Sequence, residues 1–438
     1  MPIIIRSPFK YNSIESDPTT YGLREDVLQQ CFNEIFNDNN LLISGPRGIG
    51  KSSLSVQLQK VLGGDKRLLT RCGLVADLPK YILLQYVCYS TDTLEDIVLS
   101  LLSQLEIKLN EKNSTFKIIG GKLDLSFFGI VRGEIEVKKN TLENNIIIDK
   151  FIEAIIHTSY VIEDPHINIL IDEVDQLGES INFAHFLKVV CESLDRRQYT
   201  GLSFIVIGQD RVYSRLLRQQ PAFERIINPI NLGPLDSENS EYVFDACLQS
   251  SDQTISFDPE TRGMLLDIAS GYPYIIHLLG HYSIYNMQTR YNSIPETGLL
   301  VNQQDFLEGL RIVIDSKKEM YNQIIDNCSD SEKTIIFSLV VFSTKSIPQV
   351  YIYNNIVKLL KNNFLESEVL PILDSLCNNG ILKVVTSFTQ EKAYIFDSEL
   401  FRIYVADKIQ QKEIEVHRLK DIDYPKTNTL KTEYRYFI

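Results

Sequence analysis

Apolar and polar positions recur along this chain in two rhythms, and the change from one to the other marks out its parts. Unbroken or nearly unbroken apolar runs at Leu41-Leu42-Ile43, Tyr81 to Tyr89, Ile167 to Ile171 and Leu202 to Ile207 predict strands buried on both faces, with a further strand over Ile226 to Leu232. Between them, apolar residues return at three- and four-residue spacing. Leu23 to Asn37 has them at 23, 27, 28, 32, 35 and 36, and helices are also predicted from Ser53, over Thr93 to Leu109 and over Leu142 to Tyr160. Strand followed by helix, repeated, predicts an α/β fold built on a parallel sheet.

One interruption breaks that order. Lys122 to Phe127 and Glu134 to Val137 alternate strictly, which predicts an inserted β-hairpin over 122–137, either a decoration that touches a partner or an edge hairpin covering the core. Residues 1–20 carry prolines at 2, 8 and 18 and read as an extended lead-in to an α/β domain over 21–235. Beyond it, Glu238 to Gln249, Pro259 to Ser270, Tyr272 to Met287 and Gln304 to Asp326 predict a small helical lid over 236–327. Three helices, Ser331 to Phe342, Gln349 to Leu360 and Ser367 to Asn378, then precede the strands Leu382 to Val385 and Ala393 to Phe396. That order predicts a winged-helix-like domain over 328–410, with a polar tail over 411–438.

The chemistry concentrates where the first strand ends. Gly45-Pro46-Arg47-Gly48-Ile49-Gly50-Lys51-Ser52 matches G-x-x-x-x-G-K-[ST] in full, between a strand and a helix that continues through Ser53. Glycines allow the tight turn that aims successive N–H groups at phosphate oxygens, Lys51 supplies a point charge, and the Ser52 hydroxyl is placed for Mg²⁺. The strand Ile167 to Ile171 ends in Asp172-Glu173. Carboxylates at the tip of a central strand face the phosphate loop in an open α/β sheet, with Asp172 for the metal and Glu173 for the attacking water. Gln209 ends the next strand, where it either orients water or the γ-phosphate or caps the following turn. Arg225 is either an arginine finger for a neighbouring subunit or a solvated surface residue.

Taken together these parts resemble the AAA+ and STAND class of P-loop ATPases, near the initiator (origin-recognition-like) branch, over roughly residues 20–405. The matching elements are Tyr21-Gly22-Leu23-Arg24, Gly45 to Ser52, Leu170 to Glu173, the strand ending at Gln209, Arg225 and the G-x-P element Gly271-Tyr272-Pro273. The resemblance implies ATP and Mg²⁺ as ligands, Tyr21, Leu23 and Pro273 near the nucleotide, and assembly with further copies or a partner protein. It departs from the family in having no arginine from Tyr274 to Leu279, where His277 either substitutes or packs, which implies slow or partner-stimulated hydrolysis.

Composition narrows the partners. A net charge of −13 and a segment 331–410 with eight basic and eight acidic residues disfavour DNA as the main ligand. Seven scattered cysteines without C-x-x-C spacing and no long uncharged apolar run point to a cytoplasmic protein with no membrane contact. The reading that follows is an ATP-driven switch controlling self-assembly or a partner. The alternatives are a DNA-dependent ATPase of initiator or transposition-regulator type and a nucleotide-gated scaffold in a bacterial defence complex.

Overall fold

The computed structural model describes residues 4–74, 80–110, 144–163, 165–295, 298–341, 350–361, 363–386 and 392–410. The expected hairpin at 122–137 and the tail from 411 lie outside them. The chain forms two compact units, Ser13–Leu235 and a second made of residues up to Asn12 together with those from Asp236 onward.

In the first unit the elements run α1 (Glu25–Phe36), β1 (Leu41–Ser44), α2 (Lys51–Leu62), α3 (Arg67–Arg71), β2 (Tyr81–Val87), α4 (Leu94–Asn110), α5 (Asn144–Val161), β3 (His166–Asp172), α6 (Phe183–Arg196), β4 (Leu202–Gly208), α7 (Val212–Gln219) and β5 (Asn228–Asn231). Five parallel strands pair in the order β2-β3-β4-β1-β5. All four residues of β1 are buried, as are all of β3 and β4 beyond their first residue, because a parallel sheet is covered on both faces. The helices meet it with single apolar stripes; α4 buries Leu94, Ile97, Val98, Leu101, Leu102, Leu105 and Leu109 at helical spacing. Phe186 joins the layers, its ring 5.7 Å from Phe151 on α5 and 6.1 Å from Phe204 on β4.

The second unit contains α8 (Ser237–Gln249), β6 (Ile255–Phe257), α9 (Pro259–Ala269), α10 (Pro273–Gln288), β7 (Leu299–Val301), α11 (Gln303–Ser316) and α12 (Lys318–Asp326). There follow α13 (Asp330–Val341), β8 (Tyr351–Ile352), α14 (Tyr353–Leu360), α15 (Glu366–Asn378), β9 (Leu382–Thr386), β10 (Lys392–Phe396) and α16 (Glu399–Gln410). Side-chain caps start α8, α9 and α11 at Asp236, Asp258 and Asn302.

Two boundaries differ from the sequence expectation. The helix expected over 304–326 divides at Lys317, because α11 uses up its apolar stripe of Phe306, Leu310, Val313 and Ile314, whereas α12 buries Tyr321 alone. The helix expected from Gln349 opens instead as β8, where Tyr351 and Ile352 pair antiparallel with Tyr394 and Ala393. Aromatic and β-branched residues favour that extended start.

His277 is packed, which decides between its two readings. Its Nδ1 accepts the Lys10 N–H at 3.3 Å and lies 3.7 Å from Cys247 Sγ, and the Phe9 ring stands 6.2 Å away. Burial, with the Lys10 charge adding to it, pushes the imidazole down from 6.5 to about 4. The unfolded chain therefore takes up a proton that the folded one resists. Stability held above pH 6.5 is lost as pH falls towards 4, by at most about 3 kcal/mol. Melting temperatures of the wild type and His277→Gln measured from pH 7 to 4 should show the wild type losing more over that window.

Candidate nucleotide-binding site

Strand register gathers the expected groups at one edge of the sheet. Ser44 pairs with Gly208, and Ile171 pairs with Val206, so Gly45, Asp172 and Gln209 leave their strands at nearly one level. β4 lies between β1 and β3, which separates loop strand from carboxylate strand by two strand spacings, about 10 Å. That is room for a phosphate and a cation.

The loop is shaped by backbone conformations that side chains resist. Gly48 and Gly50 have φ of 80° and 102°, and Gly50 is the N-cap of α2. No side chain caps that helix, so its first N–H groups and the positive end of its dipole are open to an anion. Lys51 Nζ donates to the carbonyls of Gly45 at 2.7 Å and Pro46 at 3.0 Å. Burial lowers its pKa, and Asp210, Asp175, Glu173 and Asp172 oppose that fall by attraction. Ile49 is buried, Arg47 is exposed, and Pro46 and Ser52 are half-buried. The Ser53 hydroxyl accepts the Glu15 N–H at 3.0 Å, which commits that side chain to the lead-in.

Asp172 accepts the N–H of Glu173 at 2.8 Å, and burial raises its carboxyl. Glu173 adopts φ 57° and ψ 33°, a left-handed conformation that disfavours a side chain by roughly 1–2 kcal/mol. A 3₁₀ turn over Val174–Gln176 follows at once. Arg215 holds it: one guanidinium nitrogen donates to Val174 O at 2.6 Å, the other to Asp175 O at 3.1 Å and Leu177 O at 3.0 Å. Gln209 is exposed, and its N–H donates to Asp175 Oδ1 at 3.0 Å.

Tyr21 and Leu23 are buried, and burial raises the Tyr21 phenol to about 12. Their neighbour Arg24 donates to Ile49 O at 2.7 Å and to Gly233 O at 2.8 Å, joining this segment to the phosphate loop. Arg225 is exposed at the end of the 3₁₀ turn Pro221–Arg225. Pro273 belongs to the second unit, where it opens α10.

Sequence reasoning gave no role to Asp175, Asp210 or Arg215 in this site. For Arg215 a signal was available, since it lies three residues after Val212, on the side of α7 that buries Val212 and Leu216.

The donor set suits a cation paired with a polyanion. One half-buried ammonium feels the attraction of four carboxylates, and burial first, with Glu173 and Asp175 adding to it, raises the Asp172 carboxyl. A divalent ion beside Ser52 and Asp172 would reverse that pressure, and phosphate oxygens would replace the loop carbonyls around Lys51.

No protein-family model matches the sequence, and no curated protein is similar to it. Solved structures do match in fold. A Walker-type ATPase of Pyrococcus abyssi superposes with a TM-score of 0.53 at 14% identity, covering 91% of this chain and 99% of that one. The ORC2 protein of Aeropyrum pernix, solved with ADPNP and ADP, gives 0.50 at 12% identity, covering 93% and 98%. The chain shares its fold with these two proteins, an α/β P-loop unit on a five-stranded parallel sheet followed by further, mainly helical elements. Within this fold the loop Gly45 to Ser52 follows β1, and Asp172 and Glu173 stand at the end of β3, the geometry described above. No helix among the described residues is long and apolar enough to cross a membrane.

Proposed function

We propose that the protein is an ATP-binding and hydrolysing switch whose nucleotide state controls assembly with further copies or a partner protein. The observation that carries this reading is the strand register that brings the loop of Lys51 and the Asp172-Glu173 strand tip to one edge of the sheet, beside an uncapped helix N-terminus. Main-chain N–H groups from Gly48 to Ser53 and the Lys51 ammonium hold the phosphates. Ser52 and Asp172 hold Mg²⁺, which when bound neutralises charge on the phosphate oxygens. Glu173, fixed by its left-handed backbone, accepts a proton from the attacking water. Gln209 orients that water, and Arg225, exposed and away from the loop strand's own tip, serves a neighbouring copy. Tyr21 and Leu23 shape the wall behind Ile49, and Pro273 brings the lid to the nucleotide. These parts act in a cytoplasmic setting, with α13 to α16 and β8 to β10 as a winged-helix domain that meets protein.

Its charges support that last assignment. Lys392 pairs with Asp374 at 3.3 Å, Lys383 lies 3.7 Å from Asp397, and the exposed face of α15 carries Glu366, Glu368 and Asp374. Each pairing offsets a cation that could neutralise phosphates, and α15 carries no basic residue, so the DNA-dependent alternative gains nothing here. DNA affinity that falls steeply with salt would reinstate it.

The test is ATP turnover measured in parallel with molecular mass, for the wild type and Glu173→Gln, with and without DNA. A switch predicts turnover in the wild type and a larger ATP-bound assembly in the variant. Turnover in neither, with mass indifferent to nucleotide, would leave a nucleotide-gated scaffold.

A further inference from the structure

Arg24 stands outside the phosphate loop in sequence, yet its side chain is committed to that loop. One terminal guanidinium nitrogen donates to Ile49 O at 2.7 Å, and Nε donates to Gly233 O at 2.8 Å. A planar fork of donors suits two carbonyls held at fixed angles. The main chain of Arg24 is fixed too, because it is the N-cap of α1 and its carbonyl accepts the Leu28 N–H at 2.8 Å. Arg24, Ile49 and Gly233 all belong to the first unit.

The Ile49 peptide is held from its other sides as well. Its side chain is buried, and a Cβ added to Gly45 would come within 3.2 Å of Ile49 Cγ2 and 2.7 Å of Leu232 O. The first glycine of the loop therefore lets the chain leaving β5 lie against it. Leu232 N–H donates to Ser44 O at 2.7 Å, which carries the pairing of β1 with β5 to the foot of the loop. Arg24 closes this arrangement by bridging Ile49 to the residue after Leu232. A trans peptide sets its C=O and N–H on opposite sides, so an Ile49 oxygen fixed towards Arg24 turns the Gly50 N–H away from it. Gly50, with φ of 102°, is the N-cap of α2, at the helix end where an anion meets open N–H groups. Glycine at that position admits either orientation of the peptide, and Arg24 selects one.

We infer that Arg24 is a positioning residue for phosphate binding, which holds the Ile49 carbonyl and so orients the Gly50 N–H towards a bound phosphate. The inference rests on the nucleotide site proposed above and adds to it a residue from outside the loop. With Nε and a terminal nitrogen engaged by main-chain carbonyls, Arg24 acts through the peptide and not on the nucleotide itself. Its effect falls on any ligand that presents a phosphate chain, whatever base or sugar is attached.

The test uses two variants of the full chain. Arg24→Met keeps an apolar stem and removes both donors, whereas Arg24→Lys keeps the charge and can reach one carbonyl. Affinities for Mg-ATP and for Mg-tripolyphosphate, which has neither base nor sugar, are measured well below the melting temperature of each protein. The pin predicts that Arg24→Met binds both ligands at least about tenfold more weakly, by a similar factor, and that Arg24→Lys recovers part of the loss. Should Arg24→Met fail to fold, Arg24→Lys carries the comparison, with a smaller loss shared by the two ligands. A loss for Mg-ATP alone overturns the inference, because Arg24 would then read the base or sugar. Unchanged affinities with a lowered melting temperature also overturn it, leaving Arg24 as a support of the fold. Either of those results leaves the nucleotide site standing, whereas a wild type that binds neither ligand overturns the site and the pin together.

Discussion

Glu173→Gln is expected to lower ATP turnover by about 10²–10⁴-fold while Mg-ATP affinity stays close to that of the wild type. The amide keeps the size and the hydrogen-bonding capacity of the side chain but cannot take a proton from water. It also leaves in place the features that shape the turn, because these are main-chain ones: Glu173 N–H to Asp172 Oδ1 at 2.8 Å and Gln176 N–H to Glu173 O at 2.8 Å. Binding is carried by a different element, the loop and Lys51. Loss of turnover with binding retained therefore separates the water-polarising role from phosphate recognition, and steady-state kinetics with equilibrium titration measure the two. Equal turnover in the variant and the wild type would move the base to Asp175 or Asp210, the other carboxylates that act on Lys51.

Arg215→Ala should damage the same chemistry through its support. The guanidinium donates to three carbonyls of the turn that carries Glu173 and Asp175, and its Nε is enclosed without a partner. Bonds to a charged donor contribute about 1.5–3 kcal/mol each when counted singly, and three that share one group are not additive. A loss of about 2–4 kcal/mol in unfolding free energy is expected, with turnover falling as far as in Glu173→Gln. Arg215→Lys should recover only part of it, since an ammonium cannot reproduce the planar fork that reaches three acceptors. Chemical denaturation followed alongside turnover distinguishes this from a direct phosphate contact, which would weaken ATP affinity and leave the denaturation midpoint unchanged.

Much of the fold was legible because its determinants are local. The apolar runs of β1, β3 and β4 end abruptly in glycine or carboxylate, and a sheet covered on both faces leaves such runs no other reading. Where structure depends on partners distant in sequence, the signal faded. β6 and β7 are three residues each and exist because Ile255 pairs with Leu299 and Phe257 with Val301. Phe9 sits in a stretch without periodicity, and its socket is built from residues more than two hundred positions away. Arg215 shows the same limit in the site itself. Its helix announced an arginine, and only the turn packed against that helix reveals three carbonyls waiting for it. The paired carboxylates were readable from the strand end, whereas Asp175 and Asp210 become neighbours of Lys51 only through the order of strands.

The central claim is that the loop and the carboxylates around Lys51 form a site for Mg-ATP. Calorimetric titration of Mg-ATP into the wild type and Lys51→Ala at equal ionic strength tests it most directly. The account predicts saturable binding at one site per chain in the wild type and affinity weakened by about 10²-fold or more in the variant. Equal affinity in the two proteins, or no binding to the wild type, would contradict it.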